Sequence, residues 1–365
     1  MINSLKYLKL PSKDYIKLKK YKFIIFLLIL LLIIRRKKKI GVIGLSHGTN
    51  IGNNLVKYAI FIKLSELGFE PYIIGSRKLD RDISFINKST NLRIIKKNFT
   101  EIKRNDYDIL MVNSDQTWRK FDKHFHDYAF LKFAKNWNIS KFIYGASIGF
   151  NFWKFSKEDE RIAKECLKDF IGISVREIGS ISLIYKHLEI IPSFVLDPTL
   201  LINKKYYLNI IRSYKSNIKS NTKFIFTYLF FREKRVINFI RKSSEKLNYK
   251  VNAITMETPN NIQKFIYGIS HCRAVITESF HGTICSIIFN KPFITFINKN
   301  NPIERFITLK KLFKIGNRMV YYNQNPNITL LTIPLNIDYN LINSFKIKSI
   351  NYLKKNLKKS NKYFL

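Results

Sequence analysis

The sequence predicts an α/β protein of two halves, each a parallel sheet covered by helices on both faces. Two observations carry this expectation. Short apolar runs alternate with longer helical patterns along most of the 365 residues, and a polar stretch rich in Lys, Asn and Ser, Asn203 to Asn221, divides that alternation into two sets. Strands buried on both faces read as near-continuous apolar runs, and the helix between two parallel strands supplies the cover. A chain of this length is enough for two domains of ordinary size.

Residues 1–39 form a basic N-terminal segment. Within it, Phe23 to Ile34 is twelve apolar residues without a break, preceded by Lys19, Lys20 and Lys22 and followed by Arg35, Arg36, Lys37, Lys38 and Lys39. A helix of that length spans about 18 Å, against a hydrocarbon core of about 30 Å. Basic side chains can snorkel from both ends, so the run 23–34 is expected to be a short hydrophobic anchor, single-pass or monotopic, with the membrane as a partner. Cations on both sides leave its orientation open. Five cations after the run, with no small-residue cleavage site, argue against a removed signal peptide. The competing reading is a buried helix of the globular body.

The first domain is expected over 40–202, with strands near 40–45, 71–74, 108–113, 141–147, 171–176 and 193–196. A helix over Asn53–Leu67 is ended by Gly68. Residues 203–221 read as the linker and 222–330 as the second domain, with strands near 223–229, 250–254, 274–277 and 293–297. Its helices fall over 234–247, 261–269, 281–290 and 303–313. The tail 331–365 is basic, and Ile347, Ile350, Leu353 and Leu357 recur at helical spacing. Two readings stand for it: a contact with a membrane surface, or a closing helix packed back on the first domain.

Composition excludes several functions. Cys166, Cys272 and Cys285 are scattered without C-x-x-C spacing, so no metal site or disulfide framework is indicated and the thiols read as buried and inert. Lys and Arg outnumber Asp and Glu by 65 to 25, a formal charge of +40. The cations are spread through the whole chain, and no nucleic-acid-binding signature accompanies them, so nucleic acid is discounted as a partner.

The most informative stretch runs from Val275 to Ile294. The apolar run Ala274–Ile276 gives way to Thr277, Glu278 and Ser279, and His281-Gly282-Thr283 opens an apolar helix closed by Asn290 and Pro292. In an open parallel sheet such a loop lies at the carboxyl end of a strand, where the free N–H groups of the new helix attract anions. His281 is thereby expected beside a phosphate or carboxylate. Spacing alone describes a capping or core histidine equally well.

Three further segments accompany it in order: Ile43 to Leu55 with its Asn/Gly-rich turn, Asn113-Ser-Asp-Gln-Thr-Trp118, and Ser174-Val-Arg-Glu177 followed by Leu196-Asp-Pro-Thr-Leu-Leu201. Together the four resemble the polysaccharide pyruvyl transferase family, from about Ile40 to about Arg318. The segment from Asn113 to Trp118 is similar to that family's G-S-D-Q-x-W signature, with Asn113 in place of the glycine. The resemblance implies a GT-B-like pair of Rossmann-like domains facing across a cleft. It also implies transfer of a pyruvyl group from phosphoenolpyruvate, as donor substrate and without a cofactor, to two hydroxyls of a glycan or lipid-linked sugar acceptor. A cyclic ketal forms and phosphate leaves.

Such chemistry needs cations for the donor, an acid for the enol carbon and a base for the incoming hydroxyl. On this resemblance Arg176 and His281 are the catalytic candidates, and Ser279, Gly282 and Thr283 the donor-binding ones. Asn50, Asn53, Asp115, Gln116 and Trp118 are the acceptor-binding candidates; for Trp118 a place in the core is the competing reading. Asp197-Pro198-Thr199 has the grammar of a helix cap. One departure stands out. Members with established pyruvyl transfer tend to carry arginine two residues before the histidine, where this chain has Ser279, so Arg305 or Lys299 from another loop is expected to fill the gap. A glycosyltransferase using a nucleotide-sugar and a non-catalytic glycan-binding protein at the membrane are the alternatives.

Overall fold

The computed structural model describes residues 37–45, 50–75, 92–96, 98–219, 221–231, 233–255, 258 and 261–360, together with Lys20, Tyr21, Phe23 and Ile24. The chain divides into two units, Met1–Lys38 and Lys39–Leu365, and every sheet belongs to the second.

The first lobe is built on six strands, β1 (Lys39–Ile43), β2 (Glu70–Gly75), β3 (Ile94–Lys96), β4 (Ile109–Val112), β5 (Ser140–Ile143) and β6 (Phe170–Gly172). They lie in the order β3-β2-β1-β4-β5-β6 and every pairing is parallel. Ile40, Ile43, Ile109, Leu110, Met111 and Val112 are fully buried, as an apolar run covered on both faces requires. The order reverses between β1 and β4, and the carboxyl ends of those two strands are where an open α/β sheet receives its ligand. A short parallel pair, β7 (Ser174–Val175) and β8 (Ser193–Phe194), continues the edge.

The second lobe has β9 (Phe224–Tyr228), β10 (Lys250–Ile254), β11 (Ala274–Thr277), β12 (Phe293–Ile297) and β13 (Met319–Tyr321), all parallel in the order β10-β9-β11-β12-β13. The helices are α1 (Ile51–Glu66), α2 (Phe125–Phe130), α3 (Lys157–Leu167), α4 (Gly179–Leu188), α5 (Lys204–Ile210), α6 (Lys234–Leu247), α7 (Asn261–His271), α8 (Phe280–Ile288), α9 (Glu304–Phe313) and α10 (Tyr339–Lys359). The fold is thus α/β with two parallel-sheet, Rossmann-like lobes.

Helix α1 joins them. Thirteen of its residues, Ile51 through Phe61 with Lys63 and Leu64, are buried, because it is enclosed by its own sheet, by the turn Pro198–Leu200 and by α7 and α8. A helix with no polar face is one surrounded by protein. One apolar core accordingly runs from Ile40 and Val42 through Leu55 and Ile60 to Phe265, Ile284 and Phe293.

Two expectations are corrected. Among the described residues no helix is long and apolar enough to cross a membrane, which overturns the membrane-associated, single-pass or monotopic anchor. The physical reason is its length, since about 18 Å of helix falls well short of about 30 Å of hydrocarbon. Residues 25–34 of that run lie outside the described ones. The structure also adds β3, β13 and α2 to α5 to the elements expected from periodicity. Helix α3, for instance, has only scattered apolar residues, and its signal is the capping box that Ser156 and Asp159 form at its start.

The tail forms α10 and packs on the first lobe. Ser349 Oγ accepts the Leu196 N–H at 2.9 Å and the Tyr352 hydroxyl donates to the Ile143 carbonyl at 2.8 Å, while Leu353 and Leu357 are buried. Leu353→Ala should therefore destabilise the protein by about 2–5 kcal/mol, as large-to-small core changes do. Ile347, 59% exposed on the same helix, should tolerate alanine within about 0.5 kcal/mol. Urea unfolding of the two variants checks the pair.

Candidate active site

The amino terminus of α8 is built by three hydroxyls. Thr277, at the end of β11, donates from Oγ1 to the Tyr228 carbonyl at 2.8 Å and accepts the Ser279 N–H at 3.0 Å. Ser279 caps the helix, its Oγ accepting the Gly282 N–H at 3.2 Å. Thr283 donates to the Ser279 carbonyl at 3.0 Å and meets Thr295 Oγ1 at 2.7 Å. Gly282 has no room for a side chain, since a Cβ there would stand 2.6 Å from Thr277 Oγ1. Ser279, Gly282 and Thr283 thus direct these hydrogen bonds to holding the helix end. Glu278 turns the other way and gathers the Phe230 and Phe231 N–H groups and the Tyr322 hydroxyl.

This leaves His281 to project towards the first lobe. Among the described residues its buried Nε2 has no hydrogen-bond partner, and it stands 3.7 Å from Asp197 Oδ2. Its ring lies on the first turn of α1, where a Cβ on Gly52 would come within 2.1 Å of Nδ1. Asn50 caps that helix, accepting the Gly52 and Asn53 N–H groups at 2.9 and 3.3 Å. The amino ends of α1 and α8, one from each lobe, therefore converge at His281.

On the first lobe the strand edges supply an ion network. Asp115, Ala146 and Val175 are bridged side by side in parallel register, which sets Arg176 near the 114–116 loop. Arg176 donates through Nη1 to Asp197 Oδ2 and through Nη2 to Asp115 Oδ1 at 3.2 Å. Asp197 also caps the turn Pro198–Leu200, its Oδ1 accepting the Thr199 N–H at 3.0 Å and the Thr199 hydroxyl at 2.6 Å. Burial alone would raise the Asp197 carboxyl; Arg176 first, then His281 and Thr199, outweigh it and hold the group well below the usual carboxylate range. For Arg176 burial pulls downward, and Asp197, Asp115 and Glu177 in turn push it above its ordinary value. Glu177 makes no ion pair here. Its oxygens accept from Ser147, the Gly149 N–H and Ser180.

Asp115 has a backbone φ of +132°, a conformation that costs a side-chain-bearing residue energy and that clusters at functional sites. Its Oδ1 accepts the Gln116 N–H at 2.8 Å, and its buried Oδ2 has no hydrogen-bond partner among the described residues. Gln116 lies beside it. Trp118 lies in the core, 1% exposed and edge-on to Phe130.

Arg305, at the second position of α9, is the residue whose role sequence spacing did not settle. Its guanidinium and that of Arg176 lie against the Phe280 ring, at 5.1 and 5.3 Å from the centroid. Among the described residues no carboxylate forms an ion pair with it, and its Nε has no hydrogen-bond partner. Burial first, then the nearby Arg176, pull it down, while Asp115, Glu177 and Asp197 offset part of that and leave it at about 10. Lys299, the other candidate for the missing cation, instead packs on Tyr321. Among the described residues no group of three His, Cys, Asp or Glu side chains is placed to hold a metal. A cavity of about 930 Å³ beside Lys135, Lys141 and Lys168 lies at the amino edge of β5 and β6, away from this chemistry.

Two parallel-sheet lobes meeting at a histidine, two arginines and two carboxylates are the architecture of a GT-B-like, sugar-modifying enzyme. The chain matches the polysaccharide pyruvyl transferase family over residues 50–300 and belongs to it. Membership in a transferase family makes it an enzyme of that class, and the non-catalytic alternative is set aside. Among solved structures, the UDP-GlcNAc 2-epimerase from Neisseria meningitidis bound to UDP-GlcNAc is similar at TM-score 0.54 and 11% identity, covering 87% of this chain and 100% of that one. The UDP-GlcNAc 2-epimerase from Methanocaldococcus jannaschii is similar at 0.50 and 12%, covering 82% and 93%. The S. aureus MnaA–UDP structure is similar at 0.50 and 13%, covering 81% and 86%. At such identities the likeness is one of fold. No curated protein matches the chain.

Two outcomes follow from this geometry. Gly52→Ala would gain up to about 1 kcal/mol of helix propensity, but the new methyl must displace the His281 ring. A misplacement of about 1 Å costs on the order of 100-fold in rate, so kcat should fall by about that factor while the far-ultraviolet circular dichroism stays native. Asp197→Ala leaves Arg176 buried with half its counter-charge and should cost about 3–5 kcal/mol. Because the folded-state pKa of Asp197 is depressed, its contribution is fully present above about pH 4 and is lost as pH falls towards the folded value. Wild type and variant should then converge in stability in strong acid, which urea titrations at stepped pH will read.

Proposed function

We propose that the protein transfers a pyruvyl group from phosphoenolpyruvate to a sugar of a glycan. The observation that carries this reading is Arg305, a half-buried guanidinium that forms no ion pair among the described residues and lies against the same Phe280 ring as Arg176. Two cations near the amino end of α8 favour an anion with more than one charge. Phosphoenolpyruvate carries a carboxylate and a phosphate, and family membership points to it. In this reading Arg305 takes the place of the arginine that other members carry at the position of Ser279. A serine there keeps the helix cap that an arginine would forfeit.

The reaction balances with the groups present. One sugar hydroxyl attacks the enol carbon as the methylene carbon takes a proton. A second hydroxyl on the same sugar then displaces phosphate from that carbon, closing the ketal and releasing its own proton. His281, whose Nε2 faces Asp197 at 3.7 Å, is the proton-handling residue of this reading. Asp115 Oδ2 is suited to accept a hydroxyl proton. Arg176 and Arg305 stabilise charge on the departing phosphate.

An alternative reading draws on the fold shared with the UDP and UDP-GlcNAc structures: a nucleotide-sugar as donor. Three similar structures with TM-scores of 0.50 or above, two UDP-GlcNAc 2-epimerases and a UDP complex, support this reading at the level of fold.

Donor identity is decided by phosphorus NMR of the enzyme with phosphoenolpyruvate or UDP-sugars and a glycan mixture. Growth of inorganic phosphate from phosphoenolpyruvate alone is the expected result; release of UDP would replace it with the glycosyltransferase reading. Arg305→Gln should weaken phosphoenolpyruvate binding about tenfold to a hundredfold, the range of a lost charge-assisted contact of 1.5–3 kcal/mol. Calorimetry measures that loss, and unchanged affinity would remove Arg305 from the donor site.

A further inference from the structure

The rim of the first lobe carries an aromatic cluster that the chemistry above leaves unused. Phe121 is 40% exposed and Phe152 51%. Phe150 lies 5.2 Å from Phe152, ring centre to ring centre. Arg119 sits over Phe121 and Phe150 at 4.8 and 5.6 Å, and Lys154 over Phe150 and Phe152 at 3.7 and 5.0 Å. Single exposed rings are ordinary on a protein surface, but three together with two cations above them form a patch.

The patch is tied to the candidate active site. Gln116, next to Asp115, accepts a long hydrogen bond of 3.5 Å from Arg119 at Oε1, which turns its amide nitrogen the other way. That nitrogen has no hydrogen-bond partner, and the residue is only 8% exposed. It lies under Gly149, where a Cβ would approach Nε2 to 2.7 Å and Pro302 to 2.7 Å. Gly149 has a φ of +83°, which only glycine adopts freely, and it is held at both ends, by Glu177 on its N–H and by the Glu304 N–H on its carbonyl. The backbone entering Phe150 to Phe152 is therefore anchored at Gly149, beside Gln116.

We infer that Phe121, Phe150 and Phe152, with Arg119 and Lys154, form the acceptor subsite, and that its occupant is an acidic oligosaccharide. The inference rests on the glycan-acceptor part of the reading above. The C–H faces of sugar rings pack on aromatic faces, and carboxylates on the oligosaccharide neutralise the guanidinium and ammonium groups. This cluster supplies the aromatic platform that Trp118, lying in the core, does not.

The test uses tetragalacturonate and its uncharged methyl ester, titrated by calorimetry at about 0.15 M salt, where charges beyond about 8 Å are largely screened. Wild type is expected to bind the acid at least tenfold more tightly than the ester. The double variant Phe121→Ala, Phe152→Ala removes no charge, so the general basicity of the chain cannot account for its effect. It should lose about tenfold in affinity for tetragalacturonate, with phosphoenolpyruvate binding and melting temperature unchanged. The same pattern in a protein that fails to bind phosphoenolpyruvate supports the subsite and sinks only the donor reading. The subsite is overturned if wild type binds neither sugar, if the ester binds as tightly as the acid, or if the double variant binds like wild type. It is also overturned if sedimentation shows a wild-type dimer that the double variant abolishes, for the patch is then an interface between copies.

Discussion

The arrangement of this site depends on the burial of Arg176 between two carboxylates. A guanidinium cannot shed its charge, so once inside it demands anions, and its planar fork fixes where they stand. Asp197 and Asp115 come from separate loops at the strand ends, and Arg176 holds both in place. Asp197 is in turn what the Nε2 of His281 faces across the seam. An isolated buried pair of this kind is a poor source of net stability, because desolvation offsets much of the attraction. Its value here is positional.

The two lobes come together around that network through α1. Its first turn carries the glycine on which the His281 ring rests, and its remaining turns fill the space between the sheets. A single residue type at position 52 therefore serves packing and geometry at once, and the region where the lobes touch is also where the unpartnered nitrogen of His281 and the unpartnered oxygen of Asp115 are found. Buried polar atoms without partners are rare in folded proteins, and a concentration of them marks a place where something else completes the bonding.

Much of the fold was legible in the sequence because both sheets are parallel and covered on both faces. Runs such as Ile109 to Val112 and Phe293 to Ile297 have no polar interruption, and long helices such as α6 and α9 show the expected period. What escaped were elements whose stability is tertiary or capping in origin: the three-residue β3 and β13, and α2 to α5. At the site, the loop preceding α8 pointed to His281, and the resemblance to a family singled out Arg176, Asp115 and Gln116. The inward setting of Trp118 was not legible, because whether an indole faces inward depends on side-chain partners such as Phe130 and Phe155 that no local pattern specifies. The setting of Arg305 against the Phe280 ring likewise exists only once α9 is docked. The membrane-anchor expectation erred for a simpler reason, giving composition more weight than length.

One contact has a kinetic meaning. His281 and Arg305 travel with the second lobe, whereas Asp115, Arg176 and Asp197 travel with the first, so any hinge motion that parts the lobes by a few ångströms takes the reaction centre to pieces. In such an open state each lobe would hold only part of the charged groups, and a ligand touching cations of both lobes would favour their closure.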